Sequence, residues 1–349
     1  MADRPGRVQP APVGQAAAGS PDGPGGATLI PGSPLRGSVP HFALMHHRLL
    51  GRTGLKISVV GLGTWQFGGE WGRTFTTAEV EAILGAARDA GINFLDTAEC
   101  YGDHLSERLI GAALAGRREQ WIVATKFGHH FHDLFQRTDH FDPADVGRQL
   151  DASLQALRTD YVDLLQCHSA KDEQFRTEGL WEALLKEQAK GRVRHLGMSI
   201  SPNTNVYQTD RAVLVGAGSI QVVYNRLQQE PEEKVFPSCR KQNLGVLARV
   251  PLASGFLSGK YPPGAVFAAS DVREAWMKKD RDAKLAEVAR IAAAEVPAGV
   301  PMARWALAWC LRHPAVTAVI PGCKSPEQVR DNAAAAELDI GQAGHPQAA

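Results

Sequence analysis

Eight short apolar runs punctuate this chain, and segments of helical periodicity separate them. The runs are Val59–Gly63, Asn93–Asp96, Trp121–Lys126, Val162–His168, Val193–Ser199, Ile220–Tyr224, Gly245–Arg249 and Ala318–Pro321. Runs this short, bounded by turn residues, read as buried strands. Between them, Thr76-Thr77-Ala78-Glu79 is a capping-box signature. Val80, Ile83, Leu84 and Ala87 then line one helical face, and Gly91 is placed to end that helix. Asp142-Pro143 predicts a cap followed by proline at the first helical position, with Val146, Leu150, Leu154 and Leu157 as the buried stripe. Ser106, after a glycine-containing turn, predicts the cap of a helix ending near Gly116. Eight strand–helix repeats with short connections predict a parallel sheet closed into a (β/α)8 TIM barrel. A doubly wound dinucleotide fold is the competitor, because Gly61-Leu62-Gly63 follows a strand. Gln66 stands at the third-glycine position and no helix begins before Thr76 or Thr77, so that fingerprint fails.

The ends of the chain differ from its middle. Residues 1–44 are rich in Pro, Gly and Ala and show no apolar periodicity, which predicts a disordered tail. The barrel is expected over 45–340, with a flexible tail at 341–349. Arg48-Leu49-Leu50 and Leu55-Lys56-Ile57-Ser58 flank a turn containing Gly51 and Gly54, the pattern of a β-hairpin.

Composition narrows the classes of function. A chain of 349 residues accommodates one barrel, which needs roughly 250 residues plus insertions and tails. The formal net charge of +1 gives no electrostatic case for a nucleic-acid or anionic-membrane partner. No apolar stretch approaches the roughly 18–20 residues of a membrane helix, and no secretory signal is apparent. Cys100, Cys167, Cys239, Cys310 and Cys323 are dispersed and form no Cys-x-x-Cys pair, which points to reduced thiols and a cytoplasmic protein.

Barrel enzymes carry their reacting groups at the C-terminal ends of strands. The second run ends in Asp96, the third in Lys126 and the fourth in His168, and Tyr101 lies in the loop five residues past Asp96. These four types suit carbonyl reduction by hydride, which develops negative charge on oxygen and needs a proton donor. A tyrosine near its ordinary pKa of about 10 is a reluctant acid. A neighbouring ammonium is expected to lower that value, an aspartate to hold the ammonium, and a histidine to orient the carbonyl.

Phe94-Leu95-Asp96-Thr97-Ala98-Glu99-Cys100-Tyr101-Gly102, followed by Ser106-Glu107-Arg108-Leu109-Ile110-Gly111, resembles the signature of the aldo-keto reductase superfamily. The likeness runs over roughly residues 47–340 and is to the bacterial type, related to the long-loop members that include potassium-channel β-subunits. It implies the barrel, with an N-terminal hairpin closing its bottom. It also implies the tetrad Asp96, Tyr101, Lys126 and His168, and an extended NADPH across the mouth, with NADH as the variant. By resemblance, Gly63, Thr64, Trp65 and Asp96 contact the nicotinamide half, and Ser199 and Gln221 its carboxamide. Pro251, Leu252, Ser254 and Lys260 belong to a loop over the pyrophosphate. Gly322 and Lys324, at the start of the last helix, face phosphate, with Gln328, Asp331 and Asn332 around the adenosine. A helix N-terminus suits such a site, while Ser325 and Gln328 also read as a plain capping box.

Three positions depart from the common pattern. Ile200 replaces an asparagine, Gln328 an arginine, and Arg249 the aromatic residue that stacks on nicotinamide. Arg249 serves as a planar stacking group or as a structural ion-pair partner. His129, His130, His132 and His140 lack the cysteine or carboxylate partners of a recognisable metal set. With Phe127, Phe131, Phe135 and Phe141 they predict a loop over the mouth. The expected function is reduction of a small aldehyde, ketone or sugar, or oxidation of the matching alcohol. A nicotinamide-binding sensor or subunit with slow turnover is the alternative.

Overall fold

The computed structural model describes residues 45–267, 271, 273–274 and 280–339. The tails expected at 1–44 and 341–349 lie outside these residues. Eight parallel strands follow the eight predicted runs: β1 (Leu62–Gly63), β2 (Phe94–Asp96), β3 (Ile122–Phe127), β4 (Val162–His168), β5 (Val193–Ser199), β6 (Ala217–Val223), β7 (Gly245–Arg249) and β8 (Ala318–Val319). They lie in sequential order in one sheet. Parallel bridges Val60–Val319 and Gly63–Gly322 join its two edges. The Gly61 and Gly63 amides donate to the Val319 and Pro321 carbonyls at 2.8 and 3.0 Å, so the sheet closes into a barrel. Gly63 permits this closure, since a Cβ there would lie 2.7 Å from the Ile320 carbonyl oxygen.

The N-terminal hairpin pairs His47–Leu49 with Lys56–Ser58. Its Leu50 and Ile57 join Phe94, Ala124, Leu164, Leu247, Ala318 and Ile320 in one inner apolar cluster. Gly51 bridges to Leu244, just before β7, which places the hairpin at the N-terminal ends of the strands. It closes the bottom and leaves the opposite end open for chemistry. A second core lies between the strands and the helices and includes Val80, Ile83, Leu150, Leu154, Val222 and Trp309. No helix among the described residues is long and apolar enough to cross a membrane.

The capping box at Thr76 forms as its sequence predicts, over a helix spanning Thr77–Asp89. Gly91 follows in the left-handed region, and the Ile92 and Gly91 amides return to Ala87 and Arg88. This is the six-to-one and five-to-two pattern of a Schellman motif.

Two predicted caps are corrected. The helix after Asp142-Pro143 begins only at Val146. Asp142 instead accepts the Ala144 amide at 2.9 Å, so its capping capacity is used in a preceding turn. Ser106 lies inside the helix Leu105–Ala113 rather than at its cap. The segment after Lys126 is also more regular than a loop. His129–Asp133 and Gln136–Asp139 pair as an antiparallel hairpin at the barrel mouth.

Candidate active site

The strand ends deliver the predicted groups to one place. Lys126, fully buried in β3, donates from Nζ to Asp96 Oδ2 at 2.7 Å, to the Thr97 carbonyl at 2.7 Å and to the Tyr101 hydroxyl at 3.1 Å. Tyr101 is set by its loop. The next residue, Gly102, has φ +64°, and a Cβ there would meet the Gly68 carbonyl oxygen at 2.2 Å. Ser106 explains its own burial here. Its hydroxyl accepts from Thr97 Oγ1 at 3.0 Å and lies 3.0 and 2.9 Å from the carbonyl and hydroxyl oxygens of Thr64. Thr64 in turn donates to the Asp96 carbonyl at 3.0 Å. The His168 ring stands edge-on to Tyr101, with centroids 6.3 Å apart. Trp65 stacks on Tyr101, with ring centroids 6.0 Å apart.

Burial dominates the electrostatics. The Tyr101 phenol is raised above its ordinary value because burial outweighs the attraction of Lys126. This reverses the expected direction: the ammonium lowers the phenol, but removal from water raises it more. Lys126 is also raised, since Asp96 and Tyr101 together outweigh its own desolvation. The resting pair is therefore a neutral phenol and a charged ammonium. His168 is held well below its ordinary value, chiefly by burial and then by the neighbouring His129 and Lys126. Its Nδ1 lies 3.7 Å from Cys100 Sγ. Burial pushes the Cys100 thiol up to about 12, so it stays protonated.

Beside Gln221, already assigned to the carboxamide by resemblance, the surroundings contain three residues that the sequence reading missed: Gln166, Glu99 and Glu70. Gln166 and Gln221 both donate to Asp96 Oδ1, at 3.0 and 2.7 Å. Glu99 is buried, and its Oε1 accepts the Gly128 and His129 amides at 2.7 and 2.9 Å. Desolvation raises Glu99 to about 8. Glu70 holds Trp65 and Arg137 together, joining the turn after β1 to the mouth hairpin. The sequence signal for Glu70 is a lone acid within a Gly- and Trp-rich turn. The signal for Glu99 is an acid between Asp96 and Tyr101.

The sequence model of the Aldo/keto reductase family matches residues 59–346. The chain belongs to the aldo/keto reductase family. It is 32% identical over 296 residues to an aldo-keto reductase of Bacillus subtilis (strain 168), covering 82% of this chain and 87% of that one. It is 30% identical to a probable voltage-gated potassium channel subunit beta of Arabidopsis thaliana, over 84% of this chain and 92% of that protein. Among solved structures, an aldo-keto reductase from Bacillus halodurans in its holo form matches with a TM-score of 0.70 at 29% identity. That match covers 84% of this chain and 92% of the other. The reductase is thus an NAD(P)H-dependent oxidoreductase built on a (β/α)8 barrel.

Its remaining candidate residues divide into two groups. Around the tetrad lie Gly63, Thr64, Trp65, Ser199, Gln221 and Arg249, all on β1, β5, β6, β7 or the turn after β1. Ser199 Oγ and Arg249 Nε are buried without a hydrogen-bond partner among the described residues. Arg249 Nη2 donates to the Ile200 carbonyl at 3.4 Å. The second group surrounds Lys324, whose Nζ donates to the Trp71 carbonyl at 3.3 Å. Arg273, Arg73 and Lys260 are close enough to lower Lys324 further, after burial has done so. Arg73 and Arg273 were absent from the sequence reading. Arg73 donates to the Lys324 carbonyl at 3.0 Å. Arg273 packs over the turn Pro251–Lys260, with Nη1 3.3 Å from where a Gly255 Cβ would stand. In that turn, Val250, Ala253, Ser254 and Gly255 all have positive φ, so the segment containing Pro251, Leu252 and Ser254 coils tightly.

The last helix is more structural than expected. Ser325 caps it by accepting the Gln328 amide, and Gln328 Oε1 accepts the Lys324 amide at 2.8 Å. Asn332 is buried and donates to Cys323 Sγ at 3.2 Å. Asp331 is exposed, 4.0 Å from Arg304. Gly322 packs under the Gln66 side chain, where a Cβ would fall 2.0 Å from its amide nitrogen.

Proposed function

We propose that this reductase uses NADPH to reduce a small aldehyde or ketone, with Tyr101 as proton donor. The observation that carries the reading is Lys126 Nζ bridging Asp96 and the Tyr101 hydroxyl at 2.7 and 3.1 Å. The mouth fits a dinucleotide. Ser199 Oγ, Arg249 Nε, Gln66 Oε1 and Trp71 Nε1 are buried polar atoms without partners among the described residues, and such groups ordinarily find one. Ser199 and Gln221 would hold the carboxamide, and Trp65 and Arg249 would flank the nicotinamide. Lys260, Lys324, Arg73 and Arg273 would take the phosphates. Four cations against the two carboxylates Asp271 and Glu79 leave an excess of positive charge, which favours a cofactor with an extra phosphate, hence NADPH over NADH. The cofactor supplies the hydride.

The chain's own residues manage the proton. Tyr101 stays neutral and can donate its O–H to the oxygen that gains charge. Lys126 remains an ammonium beside it and stabilises the phenolate that results. Asp96, held by Gln166 and Gln221, keeps that ammonium in place. In the tautomer with the ring proton on Nε2, His168 points that proton towards the carbonyl while the Cys100 thiol donates to Nδ1. The test is steady-state NADPH oxidation with a panel of aldehydes, ketones and sugars. Saturable turnover on a member of the panel supports the reading. Tight cofactor binding with negligible turnover would favour the second reading, a sensor or subunit, which the likeness to a potassium channel β-subunit supports.

A further inference from the structure

Glu70 lies outside the tetrad and is completely buried. Its carboxylate accepts from Trp65 Nε1 at 2.5 Å and from Arg137 Nη2 at 2.6 Å on each oxygen. The Phe135 amide adds a longer contact at 3.4 Å. Arg137 comes from the mouth hairpin, and its guanidinium lies 5.7 Å from the Trp65 ring centre. Trp65 itself stacks on Tyr101. Arg137 Nε is buried without a partner among the described residues. The pair therefore borders the reacting centre through Trp65. At Cys100, Arg137 and Glu70 act in opposite directions. At His168, Arg137 favours the neutral ring after burial, His129, Lys126 and Arg249.

In a site shielded from water, a bare guanidinium would act over several ångströms. Its buried counter-ion removes most of that field, and removing one partner of such a pair leaves the other charge uncompensated. We propose that Glu70 is a specificity-determining residue, masking Arg137 so that the mouth favours uncharged carbonyl compounds over those bearing a carboxylate. The inference rests on the proposed carbonyl reduction.

Glycolaldehyde and glyoxylate form a matched pair, one neutral and one anionic. In Glu70→Gln, the ratio of kcat/KM for glyoxylate over glycolaldehyde is expected to rise about tenfold or more, mainly through KM. The double variant Glu70→Gln/Arg137→Gln should return to within about threefold of the wild-type ratio, because the unmasked charge is gone. A structural disturbance alone would slow both substrates and would not be reversed by the second change. An unchanged ratio in Glu70→Gln, or a raised ratio that persists in the double variant, overturns the proposal. Should Glu70→Gln fail to fold, Arg137→Gln leaves the anion bare, and glyoxylate should be disfavoured further; no shift there overturns it equally. Calorimetric titration of oxalate onto the NADP+ holoenzyme gives a readout without turnover. Glu70→Gln should bind oxalate about ten times more tightly than wild type, and equal affinity counts against the mask. If the wild type reduces no member of the carbonyl panel, the carbonyl-reduction reading fails, and the oxalate titration still decides the role of Glu70.

Discussion

The two ends of the groove use buried charge in opposite ways. At the tetrad, Lys126 is fully buried and carries its counter-ion with it, Asp96, at 2.7 Å. At the other end, Lys324, Arg73, Arg273 and Lys260 crowd together against two carboxylates, Asp271 held by Arg273 and Glu79 held by Arg73. The first arrangement has its counter-charge built in. The second is an excess of positive charge, and it becomes favourable when anionic oxygen arrives. Mutation should therefore act on chemistry at one end and on cofactor affinity at the other.

The largest effect is expected from Tyr101→Phe. Removing the hydroxyl while keeping the ring should lower turnover by about 10²–10⁴, the range for a positioned acid, with NADPH affinity retained. Lys126→Met should fall comparably and also lose stability, because it strands Asp96 in the interior. Single-turnover kinetics and cofactor titration separate the two readouts. A Tyr101→Phe enzyme keeping more than about a tenth of wild-type turnover would break the assignment.

At the opposite end, Lys324→Ala and Arg273→Ala should each raise KM for NADPH about tenfold and leave KM for NADH little changed. High salt should imitate them, since partly exposed charges are screened. Equal losses with both cofactors would place the cluster away from the additional phosphate.

The pH profile sharpens the contrast further. Tyr101 is raised, so reduction should decline only as pH climbs past the ordinary tyrosine value of about 10. Without Lys126, whatever activity remains should decline at still higher pH. An alkaline limb well below 10 would show that Lys126 outweighs burial once cofactor is bound.

A smaller effect concerns stability. Glu99 titrates near 8 in the fold, against an ordinary value of 4.5. Its contribution is fully present below 4.5 and is lost as pH rises through about 8. His168 works the other way: its folded value is depressed, so its contribution is present above 6.5 and fades as the pH falls. Glu99→Gln should therefore gain on the wild type in Tm between pH 5 and pH 9, by at least about 2 °C. A constant difference across that range would mean that Glu99 ionises normally. The smallest effect is expected from deleting residues 1–40, which should change Tm by less than about 2 °C and leave turnover nearly unchanged.

Much of the site was legible because local signals and strand ends coincide. Asp96, Lys126 and His168 each close an apolar run, and barrel topology then brings residues 30 and more positions apart to one mouth. Glu70 and Arg137 were not legible, because their pairing spans 67 residues and depends on a hairpin read only as a loop. His129–Asp133 has few apolar residues and no regular alternation, so its strand character comes from pairing with Gln136–Asp139. Asp142 and Ser106 carried cap chemistry that was used elsewhere, one in a turn and the other in a contact across the barrel top.

By itself the sequence determined the eight strands and their parallel closure, and it singled out Asp96, Tyr101, Lys126 and His168 as candidates. Periodicity, turn chemistry and strand-end position are all properties of nearby residues, so they survive without coordinates. Tertiary structure decided how much water each group loses and which charge faces it. Those two quantities set the direction of the Tyr101 shift, the neutrality of His168 and the masking of Arg137 by Glu70. Each depends on segments that are distant in the chain, and desolvation in a closed barrel outweighs the attraction between neighbours that the sequence could suggest.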